Sequence, residues 1–308
     1  MLITLDIYSG RPNPSWLLSN KDAKRLFERV ADRALAEESA VEGILGYRGF
    51  VATALGDEEL PRGMPSSFRV AGPLPEGVSL GDETLRALSS DESDDSALWL
   101  LQTGRHVLGD DLQAFVSDQV STRSLGEGPA EPIADEEEAG IEAARDSKAA
   151  FVIANSAYNP AFWNNPAAQP RNNCYNYAMN YRSDTFAQPG SISGHPTGVM
   201  ACANVATAAN WDGCTAVCSG SNHLVALVIW PGTDYHWYRR QREGFWAHKP
   251  GGTAVRNTDN AGRVINGTTL KPQNCNRGPY TVFCGYRYAP NKVAGSSNQP
   301  GRWGLPVR

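Results

Sequence analysis

The side chain best suited to chemistry in this sequence is the thiol of Cys174. Asn173, directly before it, is a favoured helix N-cap, which predicts that Cys174 lies in the first turn of a helix. Unpaired backbone N–H groups and the helix dipole stabilise an anion there, so the thiol is expected to form a thiolate readily. His223 stands just before the apolar run of residues 224–230 and is the best candidate for a base. The two residues together predict a nucleophilic thiol activated by an imidazole.

A base in such a pair needs a polar group to orient it, and Asp234 and His236 follow in the next predicted strand. The side chains expected to contact a substrate are Asn173, Tyr177, Trp237, Arg239, Trp246 and His248, of which His248 is also an alternative base. The sequence therefore predicts a thiol hydrolase built around Cys174 and His223. Acyl transfer by the same pair is an open alternative, because the acceptor is chosen by the shape of the pocket.

Two other interpretations use the same residues. Free cysteine is among the most buried residue types, so Cys174 is equally well explained as a packed core residue, and His223 as a structural histidine. Aromatic residues are also interleaved with Arg239, Arg240 and Arg242, a pattern that can stack on sugars or bases while contacting anionic groups. The second interpretation predicts a non-catalytic binding module for an anionic glycan or a nucleic acid.

The order of these parts resembles the papain-like fold of the NlpC/P60 and CHAP cysteine hydrolases. Residues 173–178, Asn-Cys-Tyr-Asn-Tyr-Ala, are similar to the CHAP pattern Asn-Cys-x-x-Tyr-Ala, and residues 223–226, His-Leu-Val-Ala, match His-x-Val-Ala. The resemblance implies Cys174 as nucleophile, His223 as base and His236 or Asp234 as the orienting group. It further implies a bacterial-type enzyme that cleaves amide bonds, often in cell-wall peptides. It covers about 80 of the 308 residues, and the N-terminal region takes no part in it.

Hydrophobic periodicity and turn residues predict an α+β fold. The first part contains a strand–turn–strand over residues 3–18, a helix over 21–39 capped by Asn20, strands over 46–54 and 67–71, and helices over 96–102 and 111–120. The second part contains helices from residue 174 and over 199–211, and then an antiparallel sheet whose central strand spans 224–230. We predict an acidic domain over residues 1–123, an acidic linker over 124–149 and a basic domain, rich in Cys and Trp, over 150–308.

Charge is distributed unevenly between the two parts. Residues 1–150 hold 14 Lys and Arg against 28 Asp and Glu, whereas residues 151–308 hold 14 against 5. This asymmetry predicts an anionic or peptide-containing substrate for the basic half, or docking of the acidic half onto it, and independent drift of the two surfaces explains it equally well. No apolar run is long enough to span a membrane.

All six cysteines lie in the basic half. No basic, apolar signal segment begins the sequence, so we expect a cytoplasmic protein with reduced thiols, with export by a signal-less route left open. Cys202, Cys214 and Cys218 match no strong zinc spacing, and no nucleotide or phosphate motif is present. We therefore expect neither a metal nor a cofactor.

Overall fold

The computed structural model describes residues 1–31, 35, 43–56, 60–71, 91–122, 155–218 and 222–290. The chain divides into two compact units. The first contains Met1–Tyr8 and Asn13–Gly126, and the second contains Ser9–Pro12 and Glu127–Arg308. The predicted linker over 124–149 lies outside the described residues, so the predicted domain boundaries stay predictions.

The first unit contains a four-stranded antiparallel sheet and three described helices. The chain order is β1 (Leu2–Asp6), β2 (Ser15–Leu17), α1 (Asn20–Val30), β3 (Gly49–Thr53), β4 (Ser67–Ala71), α2 (Asp91–Thr103) and α3 (Asp110–Thr122). The strands lie side by side in the order β2-β1-β3-β4. Ser19, and not the predicted Asn20, is the N-cap of α1, because its side chain accepts from the backbone N–H of Asp22.

A buried ion cluster lies at the end of β1. Asp6 accepts from Nη2 of Arg48 at 2.7 Å and from Nη2 of Arg69 at 3.0 Å. Burial by itself would raise the pKa of Asp6, but the two guanidinium groups outweigh it and hold that pKa well below its usual range. The carboxylate is therefore charged and paired inside the first unit.

The second unit places short helices before a second antiparallel sheet. Its elements are α4 (Pro160–Trp163), a 3-10 turn (Gln169–Arg171), α5 (Cys174–Ala178), α6 (Cys202–Trp211), β5 (Asn222–Trp230), β6 (Asp234–Arg240), β7 (Trp246–His248) and β8 (Val282–Pro290). The strand order is β7-β6-β5-β8. Both units combine helices with antiparallel sheets, which confirms the predicted α+β class.

The core of the second unit lies between α5, α6 and one face of this sheet. Its buried members include Cys174, Val205, Val225, Leu227 and Trp237. β5 is central and pairs with β6 on one side and β8 on the other. Its continuous apolar sequence predicted this position, because a strand covered on both faces needs no polar alternation.

A disulfide joins Cys202, at the first residue of α6, to Cys284 in β8. The expectation of reduced thiols is therefore wrong for this pair. It also removes Cys202 from the weak zinc pattern, and no cluster of potential metal ligands is found among the residues that the structure describes. No described helix has the length and apolar character that crossing a membrane requires.

Candidate functional site

The helix α5 begins as the sequence predicted. The side chain of Asn173 accepts from the backbone N–H groups of Tyr175 and Asn176, and Oδ1 of Asn176 accepts in turn from the backbone N–H of Asn173. This capping box fixes Cys174 in the first turn. The helix is only five residues long, so its dipole is small.

The thiol of Cys174 does not have the properties of a nucleophile. Its side chain is fully buried in the core between α5 and β6. Burial raises the pKa of Cys174 far above its ordinary value, and the negative charge of Asp234 raises it further. Hydrogen bonding and Lys249 oppose this rise only in part. The thiol is therefore protonated at neutral pH and closed to solvent.

His223 is bonded at the opposite end of α5 from Cys174. Its Nε2 atom lies 2.7 Å from the carbonyl oxygen of Ala178, the last residue of the helix. That carbonyl belongs to the last helical turn, where the backbone lacks intrahelical donors. Since a carbonyl can only accept, the imidazole donates and acts as a C-terminal cap. The predicted pair of Cys174 and His223 is not formed.

Arg239 has a closely related structural role. Its Nη1 atom donates to the carbonyl oxygen of Tyr177 at 2.9 Å and to Oδ1 of Asn180 at 2.5 Å. Its guanidinium carbon lies 4.0 Å from the centre of the Tyr177 ring. The side chain is buried, and burial lowers its pKa below the ordinary arginine value. Two adjacent strands thus supply donors to the last carbonyls of α5.

The aromatic residues predicted to form a binding surface are also internal. The side chains of Tyr177, Trp237 and Trp246 are all buried, with exposed fractions of 2% or less. Arg240 is half-buried and Arg242 is exposed, but the aromatic rings beside them face the core. These rings cannot stack on a glycan or a base, which corrects the alternative interpretation for these residues.

A second group of predicted residues does come together, around His236. Its Nε2 atom lies 2.9 Å from Nδ1 of His248, and Nε2 of His248 lies 2.8 Å from the carbonyl oxygen of Thr258. Burial lowers the pKa of His248 to about 3, so this ring is neutral. Its one proton is donated from Nε2 to Thr258, and Nδ1 accepts from His236. In a neutral His236 ring, Nδ1 then accepts from the hydroxyl of Ser9.

Asp234 does not orient a histidine but binds backbone. Its carboxylate accepts from the N–H groups of Ser9 at 2.6 Å, Gly10 at 3.1 Å and Arg11 at 3.0 Å. The hydroxyl of Tyr280 donates to it at 2.6 Å. Burial raises the pKa of Asp234, and these hydrogen bonds oppose the rise.

The residues Ser9–Arg11, which we call the inserted segment, are also held through their carbonyl groups. The carbonyl of Gly10 accepts from Nδ2 of Asn173 at 2.7 Å and Nε2 of Gln188 at 2.8 Å. The carbonyl of Ser9 accepts from the N–H of Gly251 at 3.1 Å. Asn173, Asp234 and His236 were predicted as site residues, but the segment that they hold was not. The sequence predicted only the turn of a strand–turn–strand over residues 3–18 here, and no local signal relates this turn to residues some 225 positions away.

The chain is similar to a known shell matrix protein. No protein-family model matches the chain, and no solved structure matches it. A curated protein from Ruditapes philippinarum, insoluble matrix shell protein 1, is 43% identical over 137 residues, which are 44% of this chain and 90% of that protein. The chain belongs to the insoluble matrix shell protein 1 family. The aligned region is thus nearly the whole of the relative and less than half of this chain.

Membership in the insoluble matrix shell protein 1 family corrects several predictions. The named relative is a shell matrix protein, so the thiol-hydrolase function, the assignment as an enzyme and the description as a bacterial thiol protease are wrong. The buried thiol of Cys174 and the separate bonding of His223 give the physical reason. The cytoplasmic localisation is likewise overturned by a relative named for an insoluble shell matrix. The fold-level resemblance to NlpC/P60 and CHAP proteins stays a prediction, since no family or structural match bears on it.

Proposed function

We propose that this chain is a non-enzymatic structural component of an insoluble extracellular matrix. The observation that carries the proposal is the sealed state of Cys174, whose side chain has no solvent exposure. A nucleophile must reach a substrate as a thiolate, and burial of this thiol opposes both requirements. The similarity to insoluble matrix shell protein 1 supports the same function.

The disulfide between Cys202 and Cys284 supports an oxidising location. Such bonds persist outside the cell and are rare in a reducing cytosol. This one closes 82 residues of sequence, and the chain-entropy model gives a loop of that length about 4 kcal/mol of stabilisation. In an extracellular matrix the bond would persist and resist unfolding.

In this proposal, the helices and sheet of the second unit form a scaffold that does not catalyse hydrolysis. A helix that begins at Cys174 precedes an antiparallel sheet, and the resemblance of this order to the papain-like fold stays a prediction. The positions that would carry catalysis instead serve packing and capping. The order of elements therefore gives no argument for hydrolysis, because function depends on the site and not on the fold.

Thiol mapping tests the non-enzymatic part of the proposal. The folded full-length chain is treated with iodoacetamide at pH 6 and pH 8, with and without denaturant, and modified peptides are identified by mass spectrometry. We expect the half-buried Cys218 to react in the folded protein, and Cys174 to react only after unfolding. Cys202 and Cys284 should require a reductant first. Rapid modification of Cys174 at pH 6 in the folded protein would contradict the proposal.

Fractionation tests the location. An antibody against the chain is used on the medium, the soluble cell extract and the extracellular material that resists salt and detergent. We expect the protein in the resistant extracellular fraction, and solubilisation to increase when reductant and denaturant are combined. Recovery mainly in the soluble cell extract would contradict the matrix function.

A further inference from the structure

The inserted segment is bound as a peptide ligand is bound. Three of its backbone N–H groups donate to the single carboxylate of Asp234, and two of its carbonyls accept from Asn173, Gln188 and Gly251. Main-chain hydrogen bonds of this kind supply affinity in peptide recognition, while side-chain pockets supply selectivity. We define the segment groove as Asn173, Gln188, Thr233, Asp234, Tyr235 and His236.

The groove selects a sequence at each position of the inserted segment. The hydroxyl of Ser9 is bonded to His236. A Cβ atom at Gly10 would overlap the ring of Tyr235, so only glycine fits beneath that ring. Nη1 of Arg11 donates to the carbonyl of Thr233 at 2.6 Å. Each of the three residues of the segment thus has a contact that depends on its type.

An empty groove would be costly. Asp234, Asn173 and His236 are all buried to at least 99%. Without the inserted segment, the carboxylate of Asp234 would lose three of its described donors, and Asn173 and His236 would lose their bonds to Gly10 and Ser9. Losing the hydrogen-bond partners of several polar groups at one site costs free energy. The groove therefore has a strong tendency to take any matching segment that is present.

We propose that the segment groove binds the Ser9–Arg11 segment of a second copy of this chain, and so links copies into oligomers. The residues that flank the segment on both sides, Met1–Tyr8 and Asn13–Gly126, belong to the first unit, whereas the groove belongs to the second. When the segment of one copy enters the groove of another copy, which we call exchange, the first unit of one copy is joined to the second unit of the other. Such a head-to-tail contact forms rings or filaments, and it uses the contacts already present in a single copy.

The inference rests on the proposed function, because it names how such a matrix component would assemble. Linking by exchange depends on concentration, since the closed and linked forms have the same contacts. A dilute chain fills its own groove, and a crowded one fills that of a neighbour. Only hydrogen bonds and packing contacts are exchanged. No covalent bond is formed or broken, so no other reactant is required.

Two full-length variants separate the partners of the contact. In Gly10→Leu the segment no longer fits the groove, and the groove itself is unchanged. In Asp234→Asn the groove loses the carboxylate that binds the segment, and the segment itself is unchanged. A fluorescent peptide, Tyr-Ser-Gly-Arg-Pro-Asn, is titrated into each and followed by anisotropy, with Tyr-Ser-Leu-Arg-Pro-Asn as the control. We expect Gly10→Leu to bind the glycine peptide at least tenfold more tightly than the leucine peptide, and at least tenfold more tightly than Asp234→Asn does. Equal binding of the two peptides by a folded Gly10→Leu chain, or no binding, would overturn the inference.

The wild-type chain provides a test that does not depend on the folding of a variant. It is refolded at low and high concentration, and the products are measured by sedimentation velocity. We expect oligomers at high concentration that decrease at least threefold when a tenfold excess of the glycine peptide is present during refolding, and no decrease with the leucine peptide. Oligomers insensitive to both peptides, or their absence at high concentration, would overturn the inference. These results concern binding in solution, so they are independent of the fractionation and thiol mapping that test the proposed function.

Discussion

His223 donates from Nε2 to the carbonyl oxygen of Ala178, 2.7 Å away, and so closes the C-terminal end of the helix that begins at Cys174. Arg239 donates to the preceding carbonyl, that of Tyr177, from the neighbouring strand. A five-residue helix has almost no internal hydrogen bonds, and its end carbonyls need external donors. The sheet supplies these donors, which explains why a buried histidine and a buried arginine stand at these positions.

Replacement of His223 should therefore change stability and leave the reactivity of Cys174 unchanged. His223→Ala removes a buried ring and leaves the Ala178 carbonyl without this donor, so we expect a loss of about 3 kcal/mol in the free energy of unfolding. Urea unfolding followed by tryptophan fluorescence measures it. His106→Ala, at an exposed position, is the control and should shift the free energy by less than about 0.5 kcal/mol. A change in the native alkylation rate of Cys174 with no loss of stability would contradict this role.

The ion cluster of the first unit should make that unit sensitive to acid. The folded-state pKa of Asp6 is lowered, so its contribution to stability is present above the unfolded value near 4 and is lost as the pH falls below it. Asp6→Asn should cost about 3–5 kcal/mol at pH 7, because Arg48 and Arg69 keep their charges without the carboxylate. The loss in the free energy of unfolding caused by Asp6→Asn should be smaller at pH 2–3, where the contribution of Asp6 itself has decreased. Urea unfolding at both pH values measures it, with the exposed Asp118→Asn as the matched control.

The histidine pair should produce a second, separate pH dependence. His248 has a folded-state pKa of about 3, below its unfolded value near 6.5. The unfolded chain therefore binds a proton between these values that the folded chain does not, and stability falls as the pH falls from about 6.5 toward 3. His248→Gln should flatten the dependence of the melting temperature over pH 4–6.5. His106→Gln, at an exposed position of the first unit, should leave it unchanged; similar slopes for wild type and His248→Gln would exclude the assignment.

Loss of the disulfide should destabilise the second unit strongly. Replacement of both Cys202 and Cys284 by serine removes a bond that closes 82 residues of sequence, and we expect a loss of about 4 kcal/mol. Calorimetry with and without a reductant provides the comparison. The wild type should show a lower melting temperature in reductant, whereas the double variant should not respond. Cys218→Ser is the control for loss of a thiol outside the bond, and an unchanged wild-type melting temperature in reductant would contradict the prediction.

The sequence predicted the elements whose signals are local. The apolar run over residues 224–230 identified the central strand, and Asn173 identified the start of the helix at Cys174. The helix in the first unit was predicted over 21–39, and the described helix is Asn20–Val30. Such local preferences are available from neighbouring residues alone.

The contacts between distant residues were not predictable. The sequence could not pair Cys202 with Cys284, because six cysteines permit fifteen complete pairings and many partial ones. It also could not show that Trp237 and Arg239 face the core, since both strand faces carry aromatic residues in this region. The binding of Ser9 by Asp234 joins residues 225 positions apart, and nothing in either local sequence indicates the other. The predicted docking of the acidic half on the basic half stays a prediction.

The bond between Cys202 and Cys284 also encloses β5, β6 and β7 within one covalent loop. A protease that cuts once inside this loop therefore releases no fragment, because the two pieces remain tied through the sulfur atoms. Under non-reducing electrophoresis, such a nicked chain would migrate as a single species and would separate into two only after reduction. A single cut at any point between Cys202 and Cys284 therefore leaves both pieces in one covalent molecule.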